Sequence, residues 1–244
     1  MFVVRSLAET ESTNDDAARL LGEPGSAGLV LSAEYQRGGR GRRGRAWVAP
    51  RGSSLLFTAI LPQPIATPAL WALPFWTALA VADGIAEETG LEVALQWPND
   101  LLLEGRKCCG ILCISRVNGA RAWAGCGVGL NVLRPDGDRG LAALEPPPAF
   151  LSDAAAAVTR EGILTGVLAA FERGLEMLRQ PRDIARAWER RARLDGTAYR
   201  LLRDGDAAPF EATARRLGPD GALIVEREGA EEAVALGDAR VVRY

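Results

Sequence analysis

The sequence predicts an α/β (α+β) chain: a mixed β-sheet with flanking helices, followed by a small β-barrel. Three observations carry this. Short apolar runs alternate with helix-patterned stretches up to about residue 193. Residues 93–132 read as a meander of three or four strands joined by tight turns. From Thr197 the texture changes to five short strand-like runs separated by turn pairs such as Asp204-Gly205 and Glu228-Gly229. The expected domains are therefore 1–193 and 194–244.

Phe2–Leu7 is an apolar run that reads as a strand. Ser12, Thr13 and Asn14 offer N-cap candidates ahead of Asp15 and Asp16, acids that suit the positive end of a helix dipole. Ala17, Ala18, Leu20 and Leu21 continue that helix, and Gly22 and Pro24 stop it. Leu29–Tyr35 and Ser53–Leu61 read as buried strands. Between them, residues 36–45 (QRGGRGRRGR) form a loop, since four glycines within 38–44 are costly in a helix. Leu70–Glu88 is the strongest helix, regular from about Pro74 and stopped by Gly90.

Val93–Trp97 is a strand, and Pro98-Asn99-Asp100 is turn chemistry. Leu101–Leu103 and Cys108–Val117 form a hairpin around Glu104-Gly105, and Asn118-Gly119 turns the chain into a strand from Arg121 to Val132. Residues 133–150 carry four prolines and no periodicity, which predicts a mobile loop. Residues 152–193 read as helical with a break near Gln180-Pro181. The C-terminal strands are expected over Ala198–Arg203, Phe210–Leu217, Ala222–Arg227, Glu232–Leu236 and Arg240–Tyr244.

Composition narrows the chemistry. The 244 residues hold 29 Lys+Arg against 31 Asp+Glu, a net charge of −2, and no histidine, which excludes a Ser-His-Asp triad, a Cys-His pair and any histidine metal site. Cys108, Cys109, Cys113 and Cys126 form no C-x-x-C pair and read as small buried residues in a reducing compartment. The N-terminal stretch lacks a signal-peptide core, and the apolar run Ala69–Ala82 is shorter than the ~20 residues of a membrane span. A soluble, cytoplasmic protein without a membrane partner is the expectation.

Four clusters can carry chemistry. The loop 36–45 holds Arg37, Arg40, Arg42, Arg43 and Arg45 and no acid. Its glycines let backbone N–H groups approach an anion, and its arginines offer planar forks, although an RGG-like nucleic-acid tether has the same composition. The segment Gln96-Trp97-Pro98-Asn99-Asp100 is followed by Lys107, the only lysine in the chain. A lysine ammonium can stabilise charge shared between carboxylate and phosphate. Gly127-Val128-Gly129-Leu130-Asn131 marks close approach of backbone or ligand, or else a bulge. Ser12-Thr13-Asn14 is explained by N-capping alone.

Taken together and in order, these pieces resemble the biotin protein ligase family. The matching residues are Glu11-Ser12-Thr13-Asn14, Gln36 through Trp47 around Gly39-Arg40-Gly41-Arg42-Arg43-Gly44, Trp97-Pro98-Asn99-Asp100-Leu101, Lys107 with Gly110-Ile111-Leu112, and Gly127-x-Gly129-x-Asn131. The likeness spans about residues 5–190, and the last strands look like that family's small SH3-like domain. It corresponds to a short form, because the pattern begins by residue 9 and leaves no room for an N-terminal DNA-binding helix-turn-helix.

The resemblance implies a cytoplasmic ligase that adenylates biotin with MgATP and modifies a lysine of a biotin carboxyl carrier protein, with no tightly bound metal and no DNA partner; a homodimer stays open. It implies that Ser12, Thr13, Asn14, Gln36, Arg40, Gly41, Arg42 and Lys107 bind biotin. Arg40, Arg43, Trp47, Asn99, Asp100 and Asn131 would bind the nucleotide, and Lys107 and Arg42 would be catalytic. Hydroxyls and a Gln amide suit a cyclic urea, and Trp47, Leu55 or neighbours could wall the apolar part. The chain departs from the family at Gln96, where lysine is usual, at Ile114, where glutamate is usual, and at Cys108-Cys109, where small residues are usual. Competing readings are a lipoate or octanoate ligase of the same fold, a non-catalytic biotin or biotinyl-AMP binder, and an RNA-binding protein.

Overall fold

The computed structural model describes residues 1–137, 141 and 144–242. The main sheet has eight strands: β1 (Val3–Leu7), β2 (Leu29–Ala33), β3 (Ser54–Ile60), β4 (Ile65–Ala66), β5 (Ala94–Gln96), β6 (Asp100–Leu103), β7 (Arg106–Asn118) and β8 (Arg121–Asn131). Their order is β1-β2-β3-β8-β7-β6-β5, with β4 against β8. β1 and β2 are parallel and are joined through helix α1 (Thr13–Leu20), since parallel neighbours require a crossover. The remaining pairs are antiparallel, which makes the sheet mixed as expected.

Helices α2 (Leu73–Thr89), α3 (Arg160–Gly174) and α4 (Pro181–Ala192) complete the larger unit. β3 is buried along its whole length because both its faces are covered. Leu55, Phe57 and Ala59 join the large core with α2, whereas Ile60 packs with Ala17, Leu21 and Leu31 around α1. Leu55 therefore faces away from α1 and the loop 36–45, and is no wall of the site described below.

A 3-10 turn, Thr67–Ala72, runs directly into α2. The resulting helical run Thr67–Thr89 spans 23 residues, long and apolar enough for a membrane, and longer than the apolar stretch visible in the sequence. Its most apolar window is 67% buried inside the protein, the pattern of a core helix. Gly84 lets α3 approach closely, since a methyl there would come 2.5 Å from the Val167 nitrogen. All four cysteines are free, with Cys113 half-buried and the others buried.

The C-terminal strands β9 (Ala198–Arg203), β10 (Phe210–Leu217), β11 (Leu223–Arg227), β12 (Ala230–Val234) and β13 (Ala239–Val241) form an antiparallel sheet in the order β12-β11-β10-β9-β13. This is the small barrel-like second unit that the turn spacing predicts. Trp97 ties it to the first sheet: fully buried, it donates its Nε1 to Gly221 O at 3.1 Å and its backbone N to the Tyr199 hydroxyl at 3.2 Å. Part of the loop expected over 133–150, residues 138–140 and 142–143, lies outside the described residues, as do 243–244.

Candidate active site

Two adjoining cavities, of about 130 and 250 Å³, lie against the main sheet, the first over its central strands β7 and β8. They share Arg42, Arg45, Ala46, Trp47, Asn99 and Lys107 and so form one trough of small-molecule size. Ser12, Thr13, Asn14, Gln36, Arg40 and Gly41 line only the first cavity, and Arg43, Asp100 and Asn131 only the second. The structure thus brings every residue expected to bind biotin or nucleotide, or to act in catalysis, to the trough, and leaves only the suggested wall Leu55 outside it. Arg40, expected on both sides, lines the first alone and pairs with Asp15.

The first cavity begins at the α1 N-terminus. Ser12 occupies the N-cap position in extended backbone, yet its side chain makes no capping bond, so capping does not use its hydroxyl. Gln36 Oε1 accepts the Thr13 N–H at 2.7 Å and lies 3.1 Å from the Thr13 hydroxyl. Asn14 donates Nδ2 to Leu112 O at 2.9 Å. The floor is glycine: Gly110 of β7 pairs with Gly129 of β8, and Gly127 pairs with Leu112. The β7–β8 ladder keeps unbroken register through them, so these glycines mark close approach and not a bulge. The Trp47 indole lies on that floor, where a methyl at Gly129 would come 2.7 Å from Cε2 and one at Gly110 2.9 Å from Cζ3. Trp47 Nε1 is buried without a hydrogen-bond partner among the described residues.

At the junction, Lys107 Nζ sits 2.7 Å from Asp100 Oδ1 and 5.4 Å from the centroid of Trp47. The β6–β7 ladder slips by one residue at Cys108. This bulge turns Lys107 toward the trough and lets the consecutive Cys108 and Cys109 both stay buried. Burial pushes the Cys109 thiol well above its ordinary range, so it stays protonated and inert.

The five loop arginines divide by partner. Arg37 is held by Glu11 at 2.6 Å and Glu9 at 2.7 Å, away from both cavities. Arg43, at a left-handed φ of 61°, reaches Asp204 and the Gly237 carbonyl in turns of the second unit. Arg42 donates to Leu236 O and, at 3.3 Å, to Asn99 Oδ1. Burial, followed by the like charge of Arg43, holds its pKa below the ordinary arginine value; Arg45 adds to this and Asp100 opposes it. A guanidinium desolvated among cations, still charged, is matched by an incoming anion.

Asn99 is locked to β7, donating Nδ2 to Ile111 O at 2.7 Å while its backbone carbonyl accepts the Ile111 N–H at 2.9 Å. Buried Asn131 accepts from the Ser54 hydroxyl at 3.3 Å and donates to Ala149 O at 3.2 Å. Both brace the trough with atoms already engaged by protein. Among the described residues no group of three or more acids or cysteines gathers as a metal site. Asp100 and Glu145 are the carboxylates on the second cavity wall, enough for a hard cation carried in mainly by phosphates.

Sequence reasoning missed the second sheet's share of the trough, made by Ala239, Arg240 and Val241. It also missed Thr58 of β3, whose hydroxyl meets Asn14 Oδ1 at 2.7 Å and Thr13 Oγ1 at 2.9 Å. One signal was present, a hydroxyl in the otherwise apolar run Leu55–Leu61.

Comparison with known proteins agrees with this architecture. The model of the biotin/lipoate A/B protein ligase family matches residues 7–131. A biotin–[acetyl-CoA-carboxylase] ligase of Paracoccus denitrificans is 34% identical over 231 residues, covering 93% of this chain and 85% of that protein. One of Mycobacterium tuberculosis is 30% identical over 239 residues, covering 95% and 86%. The solved biotin protein ligase of Aquifex aeolicus in complex with biotin and ATP shares the fold, with a TM-score of 0.78, 22% identity and 99% of each chain covered. On the family match and these relatives, the chain belongs to the biotin/lipoate A/B protein ligase family.

Proposed function

We propose that this protein is a biotin–[biotin carboxyl carrier protein] ligase, an ATP-dependent enzyme of post-translational modification. In the first step a biotin carboxylate oxygen attacks the α-phosphorus of ATP, forming biotinyl-5′-AMP and releasing pyrophosphate. In the second, a carrier lysine amine attacks the acyl carbon and AMP leaves. The observation that carries the reading is the polarity of the trough. One end offers the hydroxyls and amide of Ser12, Thr13 and Gln36, and its junction with the second cavity holds Arg42 and Lys107.

The ureido ring of biotin fits the first end, with its apolar part along Trp47 and the glycine floor. Its carboxylate then reaches Lys107 and Arg42, where charge passes to the phosphate oxygens in the transition state. Fixed cations act there without any proton transfer, so the absence of histidine is no obstacle. Arg43, Asp100 and Asn131 serve the nucleotide end. Asp100 and Glu145, the carboxylates on the second cavity wall, would hold the Mg²⁺ that accompanies ATP, and the ion would supply neutralisation of phosphate charge there. Residues 1–193 carry the chemistry and 194–244 form a second unit that closes the nucleotide end. The protein partner in this reading is the carrier domain, met in the cytoplasm without DNA or membrane.

The test is incubation with biotin, labelled ATP and Mg²⁺, followed by addition of a carrier domain. Labelled biotinyl-AMP and then biotinylated carrier are expected. Adenylation of lipoate in preference to biotin overturns the substrate, and an adenylate that never reaches the carrier overturns the transfer.

A further inference from the structure

We infer that Thr58 is a positioning residue: through Asn14 and Thr13 it sets the hydrogen-bond polarity of the first cavity, so that the Thr13 hydroxyl accepts from a ligand N–H. This rests on the reading of that cavity as the site of the biotin ring.

The direction of each bond follows from which atoms carry protons. Asn14 Nδ2 donates to Leu112 O at 2.9 Å, which turns its amide oxygen toward Thr58. That oxygen has no proton, so the single proton of Thr58 Oγ1, 2.7 Å away, points to it. Thr58 Oγ1 then faces Thr13 Oγ1 at 2.9 Å with lone pairs only. Thr13 must donate there, or two hydroxyl oxygens face each other without a proton in a buried site. Gln36 Oε1, 3.1 Å from the same hydroxyl, accepts the Thr13 N–H at 2.7 Å on one lone pair and can share the Thr13 hydroxyl proton on the other, so both places for that proton lie inside the protein. The Thr13 proton is directed into the protein, and its lone pairs are what the cavity meets. Gln36, its oxygen fixed on Thr13, leaves its Nε2 donors for the ligand. An acceptor beside a donor matches the N–H and C=O of a cyclic urea.

Two further features show that the relay is built in. Thr58 has no exposed surface, and its neighbours Phe57 and Ala59 belong to the opposite, apolar core. Below the relay, a methyl at Gly127 would run into the Asn14 amide and come 2.6 Å from Leu112 O, so this strand position is shaped around Asn14.

The experiment compares the full-length wild type with Thr58→Val, which keeps the shape and loses the hydroxyl, and with Thr58→Ser, which restores it. Initial rates of biotinyl-AMP formation give KM for biotin and for ATP, and melting curves run in parallel. Thr58→Val is expected to raise KM for biotin about 10–100-fold, as losing a buried hydrogen-bond partner does, with kcat and KM for ATP within about twofold. Thr58→Ser should return KM for biotin to within about threefold of wild type. A biotin analogue methylated on the ring nitrogens should bind wild type and Thr58→Val alike. Should Thr58→Val not fold, Thr58→Cys, which keeps the volume with a poor donor, carries the same comparison. An unchanged KM for biotin, no rescue by serine, or equal rises in both KM values with a lowered melting point each overturns the inference. A wild type that forms no biotinyl-AMP overturns the proposed function instead.

Discussion

The ammonium of Lys107 lies 2.7 Å from the carboxylate of Asp100, at the junction of the two cavities. The pair joins β7 to β6 across the slip at Cys108, and it is the chain's only lysine that is so held. Asp100 keeps the ammonium in place before substrates arrive, and the Lys107 side chain, 29% exposed, lies against Trp47 in the trough.

Removing Lys107 should therefore affect chemistry more than folding. Lys107→Ala is expected to melt near wild type but to slow single-turnover formation of biotinyl-AMP by a factor on the order of 10²–10³, the usual effect of deleting one fixed transition-state donor. Lys107→Arg should recover part of the rate, since a planar fork cannot occupy the place of a point charge. Adenylate formation by Lys107→Ala at the wild-type rate would refute the assigned role.

The loop 36–45 should become protected when its anion arrives. Its glycines raise the entropy of the free state, and Arg42, Arg43 and Arg45 repel one another until a phosphate lies among them. Trypsin cleavage there should slow when biotin and ATP are present together, and equal cleavage in both states would contradict the idea. Arg42→Gly should hold the adenylate less tightly, seen as faster release of biotinyl-AMP and biotinylation of non-cognate lysines.

Gly127→Ala tests the glycine floor. The added methyl meets both the Asn14 amide and the Leu112 carbonyl, and the latter is backbone that cannot swing aside. Loss of measurable biotin binding by calorimetry is expected, with a stability loss of about 1–3 kcal/mol typical of overpacking. Normal affinity in this variant would show that the floor tolerates a side chain.

Trp97→Phe tests the tie between the two sheets. The ring volume largely remains, but the bond from Nε1 to Gly221 O is lost and a buried acceptor is stranded. A loss of about 1–3 kcal/mol is expected, together with faster amide exchange across β9–β13. Exchange unchanged in that sheet would show that Trp97 does not anchor it.

Asp153 gives a pH dependence. Its carboxylate accepts from Arg134 Nε at 2.5 Å and from the Phe150 backbone at 3.0 Å, which ties Arg134 to Phe150. The Arg134 hydrogen bond, with the Phe150 N–H and the charges of Arg134 and Arg106, holds its pKa below the ordinary aspartate value against the opposing effect of burial. A pKa lower in the folded than in the unfolded state adds stability that is complete above the unfolded value and disappears as pH falls through the folded one. Asp153→Asn should thus be destabilised relative to wild type at pH 7, and the gap between their melting points should narrow below about pH 4. A gap independent of pH would exclude the charge as its source.

Much of this protein was legible in local pattern. Turn residues and apolar periodicity located the strands, the central helix and the C-terminal strands, whose starts fall within two residues of expectation. The residues expected to bind or act could be named because their types suit anions and a polar ring, and they line the trough, whereas the motif neighbours Glu11 and Arg37 pair with each other outside it. Pairing across long sequence distance decided the rest. Arg37 and Arg42 look alike in the sequence, but one meets Glu9 and Glu11 while the other meets Asn99 and Leu236 O, because the folded chain brings different partners to each. Thr58 reads as one hydroxyl in an apolar strand until register sets it against Thr13 and Asn14, about 45 residues earlier. β3 is buried on both faces, so no alternation in its sequence could say which face meets the ligand. Local chemistry thus determined the elements and the types of group available, and only the tertiary structure decided which atoms face the trough and in which direction their protons point.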